Sequence, residues 1–376
     1  MSNNADSRDA RWFLERMPSQ EVLEDVLQGD PVTRLLGIAK DRAIANITLD
    51  PVAKKDADKD AVAAALKLAT ETAKRLAAGG EQIQLTDDER TALDLFVLLV
   101  ARPAIFVQGG HVPERPDNWP EVARDDEDLL PRMIAGVGRI ETPFRFKCGT
   151  GFIVGKRRIV TNNHVLCALF GLAPNGWQKT PATFAQHCVE KTELWSRDPS
   201  LAPVFELRGE LNSTASSQAR VIRILGHHLA VDMAVLELDS EPTDSRQLPL
   251  IAAEPSSFVE RRIYAVGYPV DDARDTLGQR VTPVPVFQRI FGTDEKTLGL
   301  KRFSPGVVIG WRDSNTFQHD ASTLRGSSGS CIVDFEDRRV VGLHFGGGYG
   351  LKSNYAVPLW KFKDDPVLAG NGVEFD

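Results

Sequence analysis

Apolar positions change their spacing once along this chain. Up to residue 107 they recur every three or four residues, the period of a helix that buries one face. Asp30-Pro31 is a cap followed by proline at the first helical position, and Val32, Leu35, Leu36, Ile38 and Ala39 follow at helical spacing. Lys54–Ala78 is rich in Ala, Lys and Leu, all good helix formers, and Gly79-Gly80 supplies a stop. Thr86-Asp87-Asp88-Glu89 reads as a capping box opening a helix that runs to about Arg102, where Pro103 ends it. That helix is apolar nearly all round over Leu93–Val100, which places it in the middle of a small bundle. Residues 1–107 are therefore expected to form a helical domain of adaptor or regulatory type, since no ligand cluster appears in them.

Residues 108–131 carry Gly109-Gly110, several prolines and the acidic run from Asp125 to Asp128, and read as a linker. Beyond them, over 132–376, short β-branched runs lie between Gly, Pro, Asn and Asp. They are Gly151–Val154, Ile159–Thr161, Val221–Leu225, Met233–Leu238, Arg262–Val266, Val307–Gly310, Ile332–Phe335, Val340–His344 and Tyr355–Val357. Such runs predict an all-β barrel or sandwich, so the chain as a whole is an α+β multidomain protein with a helical bundle ahead of a β domain. Phe170–Pro203 and Asp271–Phe303 are less regular and are expected to hold long loops or insertions.

Composition narrows the function classes. At 376 residues, 42% hydrophobic and 26% charged, the chain has the make-up of a soluble globular protein. A net charge of −7, with no basic stripe, argues against nucleic-acid binding. The polar start M-S-N-N-A-D-S-R-D-A lacks the pattern of a signal peptide, and Leu93–Val100 is too short to span a bilayer. A cytoplasmic protein with no membrane partner is the expectation. Cys148, Cys167, Cys188 and Cys331 show neither C-x-x-C nor a paired Cys/His set, which predicts reduced thiols and no metal site. A Cys148–Cys167 bridge stays open if the protein is exported by an unusual route. No cofactor motif is present.

The candidate chemistry gathers around Leu324–Ile332, L-R-G-S-S-G-S-C-I. A Gly-x-Ser-Gly turn suits a serine nucleophile because glycine lets main-chain N–H groups converge on an oxyanion. Gly and Ser also build ordinary turns. Two further elements alter the balance. His164 stands just past a strand in T-N-N-H-V, and Asp232 heads the apolar strand D-M-A-V-L-E-L. Singly, the first suits a structural histidine and the second a turn or cap. The order His164, Asp232, Ser328, each at a strand edge, is what a Ser-His-Asp triad requires. In that arrangement Asp232 orients His164, His164 takes the Ser328 proton, and the N–H groups of Gly326 and Ser328 hold the oxyanion. An α/β-hydrolase fails, because it needs glycine where Ser330 stands and orders its triad Ser, Asp, His.

T-N-N-H-V, D-M-A-V-L-E-L, G-S-S-G-S and V-G-L-H-F-G-G-G resemble the trypsin-like (chymotrypsin-fold) serine peptidases over roughly Met133 to Phe362. The likeness is greatest to the bacterial glutamyl endopeptidases, where G-x-S-G-S replaces G-D-S-G-G. Lys301-Arg302-Phe303-Ser304-Pro305-Gly306 also resembles bacterial trypsin-like domains of cytosolic proteins. The resemblance implies a double β-barrel. It implies too that Thr323 and His344 hold an acidic or amide side chain before the scissile bond; otherwise His344 is a core histidine and Ser322 or loop residues shape the pocket. Gly346-Gly347-Gly348 either admits an extended substrate along a strand edge or is a flexible turn. Two departures from the family stand out. Ser327 replaces the aspartate that pairs with a newly cut N-terminus, and Val165 replaces the cysteine after the histidine. His227-His228 reads as surface or packing, and His111, His187 and His319 carry no motif.

Two functions follow as expectations. One is a serine endopeptidase acting on protein or peptide substrates, with a regulatory protein partner docking on residues 1–107. The other is a latent or inactive protease-fold scaffold that assembles partners.

Overall fold

The structure is a computed structural model that describes residues 10–18, 20–31, 35, 56–125, 127–269, 297, 299–347 and 353–376. The described residues divide into two compact units. The first holds the described residues up to Ala104 together with 115–120, and the second holds 105–114 and the described residues from Glu121 onward except Thr297.

The first unit is helical: α1 (Ala10–Leu14), α2 (Gln20–Leu27), α3 (Asp56–Gly79) and α4 (Asp87–Phe96). Gly80, at φ 61°, lets the chain leave α3 through a single 3₁₀ turn. The capping box at α4 is reciprocal. Glu89 N–H donates to Thr86 Oγ1 (3.2 Å), and Thr86 N–H donates to Glu89 Oε2 (2.8 Å). Arg75 pairs with the Glu89 carboxylate at 2.5 Å and holds its pKa down against burial. α4 continues into a π-helical turn, Val97–Ala101, that stops just ahead of Pro103. Leu93, Phe96, Val97, Leu99 and Val100 are all buried, which accounts for an apolar surface with no polar face. The helix expected from Asp30-Pro31 lies largely outside the described residues.

The second unit is a pair of closed six-stranded antiparallel barrels. β2 (Val137–Glu141), β3 (Lys147–Gly155), β4 (Arg158–Thr161), β5 (Val204–Glu206), β6 (Gln218–His228) and β7 (Met233–Leu238) form the first. Its order is β2-β3-β4-β7-β6-β5, with β5 closing on β2. The second uses β8 (Arg262–Gly267), β9 (Arg302–Asp313), β10 (Thr316–His319), β11 (Cys331–Asp334), β12 (Val340–Gly347) and β13 (Asn354–Pro358). Its order is β9-β10-β13-β12-β11-β8, closed by β8 on β9. A short strand, β1 (Ile105–Phe106), adds to the outer edge of β9. Each barrel has its own core: Ile140, Ile153, Ile159, Phe205, Val221 and Leu236 in the first, and Ile263, Val308, Phe317, Ile332 and Val341 in the second. The chain is thus a trypsin-like double barrel following a region with helices.

Two stretches differ from expectation. Phe170–Pro203, read as irregular, carries α8 (Gly176–Lys179) and α9 (Pro181–Arg197) after α7 (Asn163–Phe170). Pro181 opens α9, and Phe184, Cys188 and Trp195 form a buried stripe at helical spacing that packs on the first barrel. Within 108–131, read as a linker, lie α5 (Pro120–Asp125) and the start of α6 (Leu129–Ala135). Glu121 accepts from Arg262 Nη2 (2.8 Å), and Asp125 pairs with Arg338 (3.6 Å), so this acidic stretch is bound to the barrel by arginines distant in sequence. The segment around Asp271 lies outside the described residues.

All four cysteines are free. Burial pushes the thiols up, Cys148 to about 11 and Cys188 and Cys331 to about 12. Among the described residues no helix is long and apolar enough to cross a membrane, and no cluster of His, Cys, Asp or Glu is arranged to hold a metal ion.

Candidate active site

His164 is the second residue of α7, which begins as soon as β4 ends. Asn162 and Asn163, between strand and histidine, face the segment that carries Asp232. Asn162 Nδ2 donates to Asp232 O (2.7 Å), and Asn163 Nδ2 donates to His228 O (2.7 Å) and Val231 O (3.3 Å). The two asparagines therefore join β4 to the entry of β7 next to the histidine. Asp232 then grips His164 twice. Oδ1 accepts the His164 main-chain N–H (3.0 Å), and Oδ2 pairs with ring Nδ1. Asp232 is 9% exposed, so the contact lies in a low-dielectric setting where it orients the ring firmly. Nε2 is left as the ring nitrogen directed away from the carboxylate.

His228 completes this corner. Its Nδ1 accepts from the N–H groups of Ala230 and Val231 (both 3.1 Å), and its Nε2 lies 3.3 Å from Asp365 Oδ2. His227 meets the Phe184 ring edge-on, with centroids 5.1 Å apart. The His227-His228 pair is thus packing and loop structure.

The Ser328 turn is clamped from both sides. On the first barrel's side, Thr150 N–H donates to Ser328 O (2.8 Å) and Thr150 Oγ1 donates to Gly326 O (2.9 Å). On the second barrel's side, Gly329 N–H donates to His344 O (2.8 Å) and His344 N–H donates to Ser330 O (2.9 Å). Inside the turn, Ser330 Oγ donates to Ser327 O (2.5 Å). Gly329 has to be glycine. Its φ is +92°, and a Cβ there would come within 1.8 Å of Thr150 O. Gly326 also sits at φ +92°, and among the described residues neither its N–H nor that of Ser328 donates to a main-chain carbonyl. Ser327 and Ser330 are buried, whereas Ser328 is partly exposed.

Gly149 marks how near the two halves come. A Cβ on it would meet Val165 Cγ2 at 2.6 Å and Ser328 O at 3.1 Å, so the residue after His164 and the carbonyl of Ser328 border the same glycine. His164, Asp232 and the Ser328 turn thus converge at the seam between the barrels. Among the described residues no hydrogen bond joins the Ser328 hydroxyl to His164.

Thr323 and His344, the candidate specificity pair, fall differently. Thr323 is partly exposed just ahead of the turn, while His344 lies on β12 and is 2% exposed. His344 Nδ1 is 3.2 Å from Nε2 of His319 on β10, which is fully buried. Burial drives both imidazoles toward the neutral form. His319 falls to about 3, and His344 falls well below the usual range, helped by His319 and His164. His319 has no sequence motif; only the β10–β13–β12 pairing brings it to His344.

Lys301 opens the K-R-F-S-P-G stretch. It is fully buried, and its Nζ donates to Leu207 O (2.7 Å) and Ile134 O (2.9 Å), with Glu210 at 3.4 Å. It joins the start of β9 to the edge of the first barrel, and burial lowers its pKa to about 8.

Among solved structures, the chain is similar to the inactive form of Rv3671c from M. tuberculosis H37Rv at 14% identity, covering 72% of this chain and 100% of that one (TM-score 0.39). It is also similar to a serine endoprotease from Yersinia pestis at 17% identity, covering 68% and 70% (TM-score 0.39). The active form of the Rv3671c protease aligns at 16% identity over 66% and 85% (TM-score 0.38). No curated protein matches the sequence. The pattern described as a trypsin-like peptidase domain matches residues 149–343, just over half of the chain and the span that holds His164, Asp232 and Ser328. With two closed barrels and that match, the chain belongs to the trypsin-like peptidase domain family.

Proposed function

We propose that this peptidase is a serine endopeptidase whose triad is Ser328, His164 and Asp232. Ser328 Oγ attacks the scissile carbonyl as His164 Nε2 takes its proton. The N–H groups of Gly326 and Ser328 hold the tetrahedral oxyanion, and His164 returns the proton to the leaving amine. Water then hydrolyses the acyl-enzyme by the same steps. The observation that carries this reading is the double grip of Asp232 on His164, which fixes the ring and directs Nε2 outward. Fluorophosphonate labelling tests it. Wild type is expected to label at Ser328 and S328A not at all; equal labelling of the two leaves only the latent scaffold.

Within that reading we assign the acidic specificity of the glutamyl-endopeptidase branch to Thr323 and His344. A neutral imidazole offers one N–H to a substrate carboxylate, and a threonine hydroxyl offers another donor. A peptide-library profile is expected to show Glu, then Asp or Gln, before the cut. A preference for Arg, Lys or aromatic residues would end this assignment. Residues 1–107 are proposed as a regulatory helical domain that docks a protein partner. Because β1 belongs to the barrel unit, the test is a chain of residues 105–376. Unchanged activity and unchanged interactions in that chain would remove the regulatory role.

A further inference from the structure

Next to the Asp232–His164 contact lies a second His–Asp pair, which the proposed mechanism does not use. His228 closes the turn that leads to Asp232. Its Nδ1 accepts two donors, the N–H groups of Ala230 and Val231 (both 3.1 Å), and its carbonyl accepts from Asn163 Nδ2 (2.7 Å), the residue before His164. Val231 O in turn accepts the N–H of Met233 (2.9 Å), the first residue of β7. The turn that delivers Asp232 to His164 is therefore closed by one imidazole nitrogen. That nitrogen works only without a proton. A neutral imidazole carries its proton on one nitrogen and accepts through the other, and the partners around the ring decide which. Two N–H groups face Nδ1, so the proton belongs on Nε2.

The group 3.3 Å from Nε2 is Asp365 Oδ2, from the segment that follows β13. Asp365 is itself held in place. Its Oδ1 accepts the Val367 N–H (2.8 Å), its main-chain N–H donates to Phe362 O (3.0 Å), and its main-chain carbonyl accepts from the N–H groups of Leu368 (3.0 Å) and Ala369 (2.8 Å). Phe362, from the same segment, meets the His228 ring edge-on, with centroids 5.3 Å apart. With Oδ1 engaged by Val367, Oδ2 is the oxygen that faces the imidazole, and a carboxylate oxygen can only accept. We propose that Asp365 is a positioning residue: it holds His228 in the Nε2–H tautomer, and through that ring it fixes the Ala230–Val231 turn and the Asp232 carboxylate against His164. It touches no reacting atom, and its role rests on the triad reading. A segment that follows the second barrel thereby steadies a carboxylate on the first.

The test is D365N in the full chain, because it keeps the side-chain shape and the Val367 bond while turning an NH2 group toward Nε2. Two donors then face each other, the ring proton moves to Nδ1, and Ala230 and Val231 lose their acceptor. An Asp→Asn change directly on a triad histidine costs about 10⁴ in rate through the wrong tautomer. One turn removed, D365N is expected to slow the maximal rate of fluorophosphonate labelling by about tenfold, with the half-saturating probe concentration within about twofold of wild type. In H228N the acceptor is an amide oxygen that Asp365 does not control, so D365N added to H228N is expected to change labelling by less than about twofold. A residue that only capped its own turn through Val367 would slow both backgrounds alike, and that result overturns the proposal. Nitrogen NMR of histidine-labelled protein reads the tautomer without activity. The His228 signals, assigned by their loss in H228N, are expected to show Nδ1 accepting and Nε2 protonated in wild type, and the reverse in D365N. A protonated Nδ1 in wild type overturns the proposal even if D365N does not fold, and so does slow labelling by D365N with the wild-type tautomer. A wild type that labels no faster than D365N removes the Asp365 role alone; a wild type that does not label removes the triad reading and the positioning role with it.

Discussion

Replacing Thr150 with valine tests whether the seam between the barrels aligns the nucleophile turn. Valine keeps the shape and deletes one hydroxyl. That hydroxyl is fully buried, donates to Gly326 O (2.9 Å) and accepts the N–H of Tyr268 (3.0 Å). T150V leaves a buried C=O and a buried N–H unpaired, each costing about 1–3 kcal/mol, so the destabilisation is about 2–6 kcal/mol. For a unit of this size each kcal/mol lowers the midpoint by about 2–4 °C, giving a fall of roughly 4–24 °C in scanning calorimetry. A second effect is local. In the proposed mechanism Gly326 supplies one of the two oxyanion donors, and freeing its carbonyl lets that glycine rotate. Losing a donor outright costs about 10²–10³ in rate, so misalignment is expected to slow fluorophosphonate labelling by about tenfold. T150S keeps the hydroxyl and is expected to label within about twofold of wild type. A T150V protein that melts within about 2 °C of wild type and labels at the same rate would refute this account.

Three further outcomes are expected. H228L removes the acceptor for the Ala230 and Val231 N–H groups and is expected to lower kcat on a cleaved peptide by about tenfold, while H228N, whose side-chain oxygen takes the same place, keeps most of it; equal loss in both would deny His228 this positioning role. Burial lowers the Lys301 pKa to about 8, against about 10.4 in an unfolded chain, so between those values the unfolded state binds the extra proton and wild-type stability rises with pH. Urea denaturation of K301M is expected to lack that rise. The window closes near pH 10, because buried Tyr264 and Tyr268 keep their protons longer when folded and so cost stability above it. With Cys148 raised to about 11 and Cys188 and Cys331 to about 12, these thiols are expected to react slowly with an aromatic disulfide at neutral pH until denaturant is added. Rapid reaction of the native chain would contradict that burial.

Short-range patterns carried much of this fold. The capping box at Thr86–Glu89, the stop at Gly79-Gly80 and the nine β-branched runs depend on neighbours a few residues apart, where sterics and side-chain caps act without help from the rest of the chain. Strands as short as β1 and β5 hold too few residues to show alternation, so only pairing with β9 defines β1 and only barrel closure defines β5. α9 was legible in its Phe184–Cys188–Trp195 stripe but lay in a segment with few strand signals and uneven polarity. The linker reading of 108–131 took prolines and acids as solvated, whereas Arg262 and Arg338 lie far along the chain and give those carboxylates partners.

The same division runs through the site. His164, Asp232 and Ser328 stand out in sequence because each follows or precedes a strand in a recognisable motif. Thr150 does not, since its partner Gly326 is 176 positions away and nothing local marks the bond. His319 is equally silent until β10, β13 and β12 pair and bring its ring to His344. By itself the sequence marked the candidates for nucleophile, base and carboxylate, because candidacy is a property of side-chain type and of strand and turn context. Only the tertiary structure decided what holds them, because bonds such as Thr150–Gly326 and His319–His344 form only after two barrels close and meet.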